Sequence, residues 1–441
     1  MKTLTAPSAA SPATAHARKH TWVIVRRSLV LIFVGLFIAV LIPSNGELGA
    51  ARANFAIQQA IGGRGFRLAA WEAQAIAQKA RDLVTRPGAD MSAAEQHDLV
   101  TGYFAALARI DELSGKIERS YADPQNADPA ALAAPLEAEL NALRTTQAER
   151  RPAVERIIER QVATVLDEAG LTSGGQVFPP VRFAFTESPD YLIVSPRDHI
   201  AVTEGVYLDP GISITDMEQI EAQVARELDV SALVDGTGGF SSYPTMVVAY
   251  PDLEWVLDTV AHEWTHTYLY LRPLGWNYDG VGGMRTINET VASIIGGEIS
   301  RLTLERFYPE QVPPAGWPHP LSMRSDWLGQ AADPPQFAYG PFMRKTRLEA
   351  DRLLAEGKID EAEQYMEAQR RVLVENGYAI RKLNQAYFAF HGSYAVGSSA
   401  TDPIGGKLRL LRKQAGSLAE FLRTVAKFSA PGDLDAALRQ S

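Results

Sequence analysis

The sequence predicts an α+β fold, mostly helical, with a small β-sheet placed between two helical regions. Three observations carry this expectation. Residues 54–170 repeat apolar side chains at three and four spacing, the period of helices packed on one face. Beyond a Leu171-Thr172-Ser173-Gly174-Gly175 break, short β-branched and aromatic segments alternate with Pro, Asp and Gly. After residue 280 the helical period returns.

Composition narrows the classes of function. The 441 residues are 46% hydrophobic and 22% charged, as in a folded globular protein. The net charge of -9 argues against a nucleic-acid partner, which calls for a basic face. Without cysteine there can be no disulfide, thiol nucleophile or thiolate metal site, so any bound metal must use His, Asp or Glu.

Residues 1–17 are rich in Ala, Ser, Thr and Pro and read as a disordered tail. Residues 1–27 form a basic tail, with Lys2, Arg18, Lys19, Arg26 and Arg27 and no acid. The charge-free run of residues 28–43, SLVLIFVGLFIAVLIP, then reads as a transmembrane signal anchor, its basic flank inside and the body exported. The alternative is a signal peptide cleaved near Ala51-Arg52-Ala53, which would give a secreted protein. Both place the body outside the cytoplasm, in the periplasm or the exterior.

Residues 54–172 read as a helical bundle or stalk in three long helices, the last opening at Asp128-Pro129, since proline suits a first helical turn. Residues 173–441 form the second domain. VRFAFTE, YLIVSP, HIAVTEGVYL and FSSYPTMVVAY read as strands, with a helix over 215–228 between the last two. A Pro/Trp-rich loop follows over 309–335.

The chemistry centres on VAHEWTHTYLY. Asp252 is a natural N-cap, and no breaker occurs before Pro273, so a helix over Leu253–Leu271 is expected. Leu253, Val256, Leu257, Val260, Trp264, Tyr268 and Leu271 fall in one stripe. His262 and His266 project from nearly the opposite side, beside Trp255 and Leu269. An i, i+4 spacing stacks both imidazoles so that they reach one ion, for which Zn²⁺ is the natural occupant. Glu263, rotated 100° from His262, stands beside that ion, where it can take a proton from water bound there.

Two imidazoles leave an ion short of a protein ligand. TINETVASIIGGE offers Glu289, and the intervening Pro273 and glycines 275, 280, 282 and 283 let the chain reverse so that a second helix returns past the first. On that helix Glu289, Ala292, Ser293, Gly296 and Gly297 make a face of small side chains that permits close approach.

With His262, Glu263, His266, Asn288, Glu289 and Ala292 the sequence resembles the gluzincin metallopeptidases, in which H-E-x-x-H is followed on a second helix by N-E-x-x-A or N-E-x-x-S. The resemblance implies a zincin-like catalytic domain, His262, His266 and Glu289 as zinc ligands, and Glu263 as general base in peptide hydrolysis. In thermolysin-like members an aspartate four residues after the third ligand orients a metal-bound histidine; here Ser293 stands there.

Gluzincins commonly steady the oxyanion with a Tyr or His after the glutamate helix, and NQAYFAFHGSYAVG supplies Tyr387, His391 and Tyr394, of which His391 and Tyr394 are the candidates. FSSYPTMVVAY stands where zincins place the edge strand that pairs with substrate, with Gly238-Gly239 as its lip. Arg344, Lys345 and Arg347 read as a solvated helical face or a site for a substrate carboxylate. His97, His199 and His319 lack partners at metal spacing. The expected partners are a peptide or protein substrate and the membrane. A zinc hydrolase of another substrate and an inactive, membrane-tethered binding scaffold are the alternatives; intact Glu263 favours an enzyme.

Overall fold

The computed structural model describes residues 48–122, 128–172, 174–278, 283–313, 337–378, 380–392 and 403–440. Residues 56–441 form one compact unit and residues 1–55 another, of which 48–55 are described, in helix.

Four helices come first: α1 (Leu48–Ile61), α2 (Leu68–Thr85), α3 (Ala93–Ala122) and α4 (Pro129–Glu168). Asp128 caps α4 by accepting from the amide of Ala131, with Pro129 in the first turn. The expectation for the three long helices holds to within a few residues. Tyr103 and Phe104 of α3 and Val154, Ile158 and Val162 of α4 enter the same core as the histidine helix.

Six strands follow: β1 (Phe183–Thr186), β2 (Asp190–Pro196), β3 (Glu204–Leu208), β4 (Val230–Gly236), β5 (Gly239–Phe240) and β6 (Thr245–Val248). Helix α5 (Ile214–Leu228) lies between β3 and β4. They build two three-stranded sheets, an antiparallel one in the order β3-β2-β4 and a mixed one in the order β1-β6-β5, with β1 parallel and β5 antiparallel to β6. The single small sheet expected is therefore two. Strand β4 carries no period-two signal because its four middle residues are all buried.

The antiparallel sheet is covered on both faces. Leu192, Val194 and Val234 pack against Ile220 and Val224 of α5. Ile193 and Leu233 face Met343, Met366 and Phe388 of α9 (Tyr339–Ala355), α10 (Ile359–Glu375) and α11 (Gln385–His391). The mixed sheet lies on the main core, with α6 (Leu253–Tyr270), the short α7 (Pro273–Trp276) and α8 (Met284–Phe307). A 3₁₀ turn (Pro309–Gln311), α12 (Ile404–Gln414), α13 (Leu418–Val425) and α14 (Gly432–Gln440) complete the chain.

The expected fold class, a domain preceded by a transmembrane helix, needs correction: no helix among the described residues is long and apolar enough to cross a membrane. Helices α3, α4 and α8 have the length, but acidic and basic side chains interrupt each of them every few residues. The run of residues 28–43, the cleavage alternative's upstream segment and most of the Pro/Trp-rich loop lie outside the described residues.

Candidate metal centre

Helix α6 begins where expected, with the Asp252 carboxylate accepting from the Trp255 amide. It is buried almost all round: Val256, Val260 and Trp264 on one side, Trp255 and Leu269 on the other. Leu271, assigned to the apolar stripe, is half exposed past the end of the helix. Gly283, at a left-handed φ of 92°, feeds the chain into α8.

Helices α6 and α8 pack closely because a glycine stands at their crossing. A methyl group on Gly296 would run into the Asp258 carboxylate and approach the His262 Cβ within 3.2 Å. The small-residue face read from the sequence thus has a specific use. It lets the backbone of α8 rest against the turn of α6 that carries His262.

This crossing brings the three expected ligands together. His262 Nε2 and His266 Nε2 lie 3.0 Å apart, and Glu289 Oε2 lies 3.4 Å from each. His262 and Glu289 are buried, at 1% and 5% exposure. An ion held tetrahedrally at about 2.0–2.1 Å sets its ligands roughly 3.3–3.4 Å apart. The spacing, the borderline-soft nitrogen donors and the hard carboxylate therefore fit a divalent cation. Of the described residues, these three form the His/Asp/Glu group spaced to hold a metal.

The same proximity sets the charges. Burial favours a neutral His266 ring, but the Glu289 carboxylate beside it, together with Glu263 and Asn288, raises it to about 9. Burial also opposes ionised Glu289, yet the two imidazoles hold its carboxyl well below the usual range. A carboxylate that stays ionised in a closed interior is a ready ligand.

Two neighbours fix the ligands, and sequence reasoning gave neither a role. Asn288 Nδ2 donates to the Leu274 carbonyl at 3.2 Å, which leaves Oδ1 to accept from His266 Nδ1 at 2.8 Å. With a divalent ion bound, this acceptor would keep the remaining ring proton on Nδ1 and leave the Nε2 lone pair for the ion. The Tyr278 hydroxyl donates to Glu289 Oε1, the other oxygen of that carboxylate. Ser293 does not take the place of an orienting aspartate. Its hydroxyl donates to the Glu289 carbonyl at 2.8 Å.

Glu263 is held from the other side. Ser241 Oγ donates to its Oε2 at 2.6 Å, and Gly239 lies so close that a Cβ there would fall 2.7 Å from Oε1. Gly239 lies in the edge strand β5 itself; of the stretch FSSYPTMVVAY, expected to be the edge strand, Phe240 belongs to β5, whereas Thr245–Val248 forms β6 in the middle of the sheet.

His391 is engaged elsewhere: its Nε2 contacts Asp235 Oδ2 at 2.9 Å and its ring packs on Tyr387 at 4.2 Å. Tyr394 and His319 lie outside the described residues. Arg347 is largely buried, pairs with Asp351 at 2.8 Å and donates to the Phe388 carbonyl at 3.2 Å. His97 pairs with Glu310 at 2.9 Å, and His199 with Asp198 at 2.7 Å.

Comparison with protein-family models, with curated proteins and with solved structures finds no match to this chain.

Proposed function

We propose that the protein is a zinc-dependent peptidase working in the manner of gluzincins, with His262, His266 and Glu289 as the ligands. The observation that carries this reading is the convergence of the two Nε2 atoms and Glu289 Oε2 within 3.4 Å beside a second, separately held carboxylate. A structural cation site has no use for that second group. A bound divalent ion supplies Lewis acidity toward a carbonyl and lowers the pKa of water.

The protein's own residues do the rest. Glu263 takes the proton from the attacking water and returns it to the leaving amine, with Ser241 holding one carboxylate oxygen in place. The open edge of β5 beside Glu263 accepts the substrate backbone as an added strand. The Tyr278 hydroxyl, which donates to Glu289 Oε1, would have to turn from that carboxylate to serve a developing oxyanion, and His391 would first have to leave Asp235.

The test is to purify the full chain, measure its metal content, and assay a broad peptide library with native protein and Glu263→Gln side by side. The expected outcome is one zinc per chain in both and turnover in the native protein alone. Equal turnover in the two would overturn the general-base role. Turnover insensitive to chelation and metal replacement would overturn the metal reading.

A further inference from the structure

From a row of aromatic side chains that begins on the strand beside the glutamate of the site, on the face turned away from it, we infer that this peptidase selects substrates with an aromatic or large apolar residue; the inference rests on the peptidase reading above. The row starts at Phe240. Its two chain neighbours both touch Glu263, Gly239 through its backbone and Ser241 through its hydroxyl.

Strand register fixes which way these residues face. Gly239 pairs with Val247, which lies in the core shared with α6, so Gly239 faces the metal helix. Phe240 pairs with Met246 and faces the opposite way. There it meets Tyr207 edge to face, with ring centroids 4.5 Å apart. Tyr207 pairs across the antiparallel sheet with Tyr191 at 4.6 Å, and Tyr191 pairs in turn with Asp235.

Three paired residues on adjacent strands share one face, so Tyr207, Tyr191 and Asp235 form a line across the end of the sheet. Phe390 packs on Tyr191 at 5.9 Å, and His391 closes the row on Asp235. All six side chains are partly exposed, in contrast to the fully buried Ile193 and Leu233 just beyond them on the same face.

The Tyr191 side chain can lie over β3 because residue 205 is glycine: a Cβ there would fall 1.7 Å from the Tyr191 hydroxyl oxygen. A row of tilted and edge-to-face aromatic rings beside the strand next to Glu263 is suited to one task in an extended peptide. When a strand adds to β5, alternate side chains point toward α6 and toward Phe240. The row receives one of the second set, and His391 with Asp235 ends it with polar groups.

The test uses decapeptides of Gly, Ser and Ala carrying a single Phe, Leu, Ala or Asp at each position in turn. Hydrolysis is followed with the zinc-loaded full chain, and binding by fluorescence anisotropy with Glu263→Gln. At one register, Phe should give at least about tenfold tighter binding than Ala, the scale expected for burying an aromatic ring. Tyr191→Ala and Phe240→Ala should each bring that ratio to within about twofold, and Tyr191→Phe, which keeps the ring, should restore it.

A Phe/Ala ratio that neither alanine variant changes overturns the inference, as does turnover without any aromatic preference. Aromatic-dependent binding in a chain that cleaves nothing supports the platform while overturning the peptidase reading. Independently of folding in the variants, a benzoylphenylalanine at the favoured position should crosslink the native chain within Tyr191, Tyr207, Phe240 or Phe390. Crosslinks confined to other segments overturn the assignment.

Discussion

The side-chain oxygen of Asn288 lies 2.8 Å from Nδ1 of His266, and its amide nitrogen is committed to the carbonyl of Leu274. One residue, immediately before a proposed ligand in sequence, thus orients a different proposed ligand on the neighbouring helix. Replacing it with Asp leaves an acceptor for the ring but loses the donor to Leu274; replacing it with Leu loses both.

Asn288→Leu should weaken zinc binding by about 10–100-fold, the range seen when a metal-bound histidine loses its outer partner. Asn288→Asp should lie between it and the native chain. Competition against a chromophoric chelator reads the affinity directly, and equal affinities for native protein and Asn288→Leu would show that the ring is oriented by other means.

Ser241 makes a separable prediction because it touches Glu263, the proposed base, and none of the three proposed ligands. Its 2.6 Å bond to Glu263 Oε2 is to a charged group, a class worth about 1.5–3 kcal/mol. Ser241→Ala should therefore lower kcat/KM by roughly 10–100-fold while metal content stays at the native level. A loss of metal together with activity would mean that the serine supports the fold of the β5 edge rather than the carboxylate.

What the sequence disclosed and what it hid follow one division. The pair His262 and His266 and the helix that bears them were legible because an i, i+4 spacing and an N-cap are local. Glu289 was legible because glycines and a proline announce a reversal, and Gly296 because a small-residue face on a helix needs a packing reason. Ser241, Tyr278 and Asp235 were not legible as site residues. Each reaches its partner through strand register or a loop path, which no periodicity encodes. Strand β4 was missed for a related reason, since a strand buried on both faces shows no alternation. The membrane-spanning element was read from a hydropathy run that lies outside the described residues, and no described helix supplies it.

A pH prediction rests on Glu254, in the first turn of α6. Burial, with the Asp252 charge nearby, raises its carboxyl from 4.5 to about 7. A carboxyl whose folded pKa exceeds its unfolded one favours the folded state while protonated, so this contribution is complete below pH 4.5 and is lost as pH rises through 7. Glu254→Gln, neutral throughout, should leave stability unchanged near pH 4 and raise it at pH 8 by on the order of 1 kcal/mol, discounted for partial exposure. Thermal unfolding at the two pH values checks this; a variant that gains as much at pH 4 as at pH 8 would trace the effect to helix packing.

Lys79 of α2 supports the opposite edge of the mixed sheet. Its ammonium lies 2.8 Å from Glu155 and 2.8 Å from Glu159, both nearly inaccessible on α4. Those carboxylates accept from the amides of Phe185 and Phe183, which covers the outer edge of β1. Burial raises the Glu155 carboxyl, and Lys79 works against that rise. Without the cation, two neighbouring carboxylates would remain in the interior with Arg182, 3.2 Å from Glu159, and the half-exposed Arg151, 3.9 Å from Glu155, as their remaining cations. Lys79→Met should therefore cost about 3–5 kcal/mol, the penalty for leaving a buried charge uncompensated. Adding Glu155→Gln should recover part of this, because a glutamine oxygen still accepts from the Phe185 amide while removing one charge. Urea unfolding of the native chain, the single variant and the double variant measures both effects, with an unchanged slope certifying that the folded state is the same. A cost below about 1 kcal/mol would class the cluster with exposed ion pairs and remove its role in holding β1.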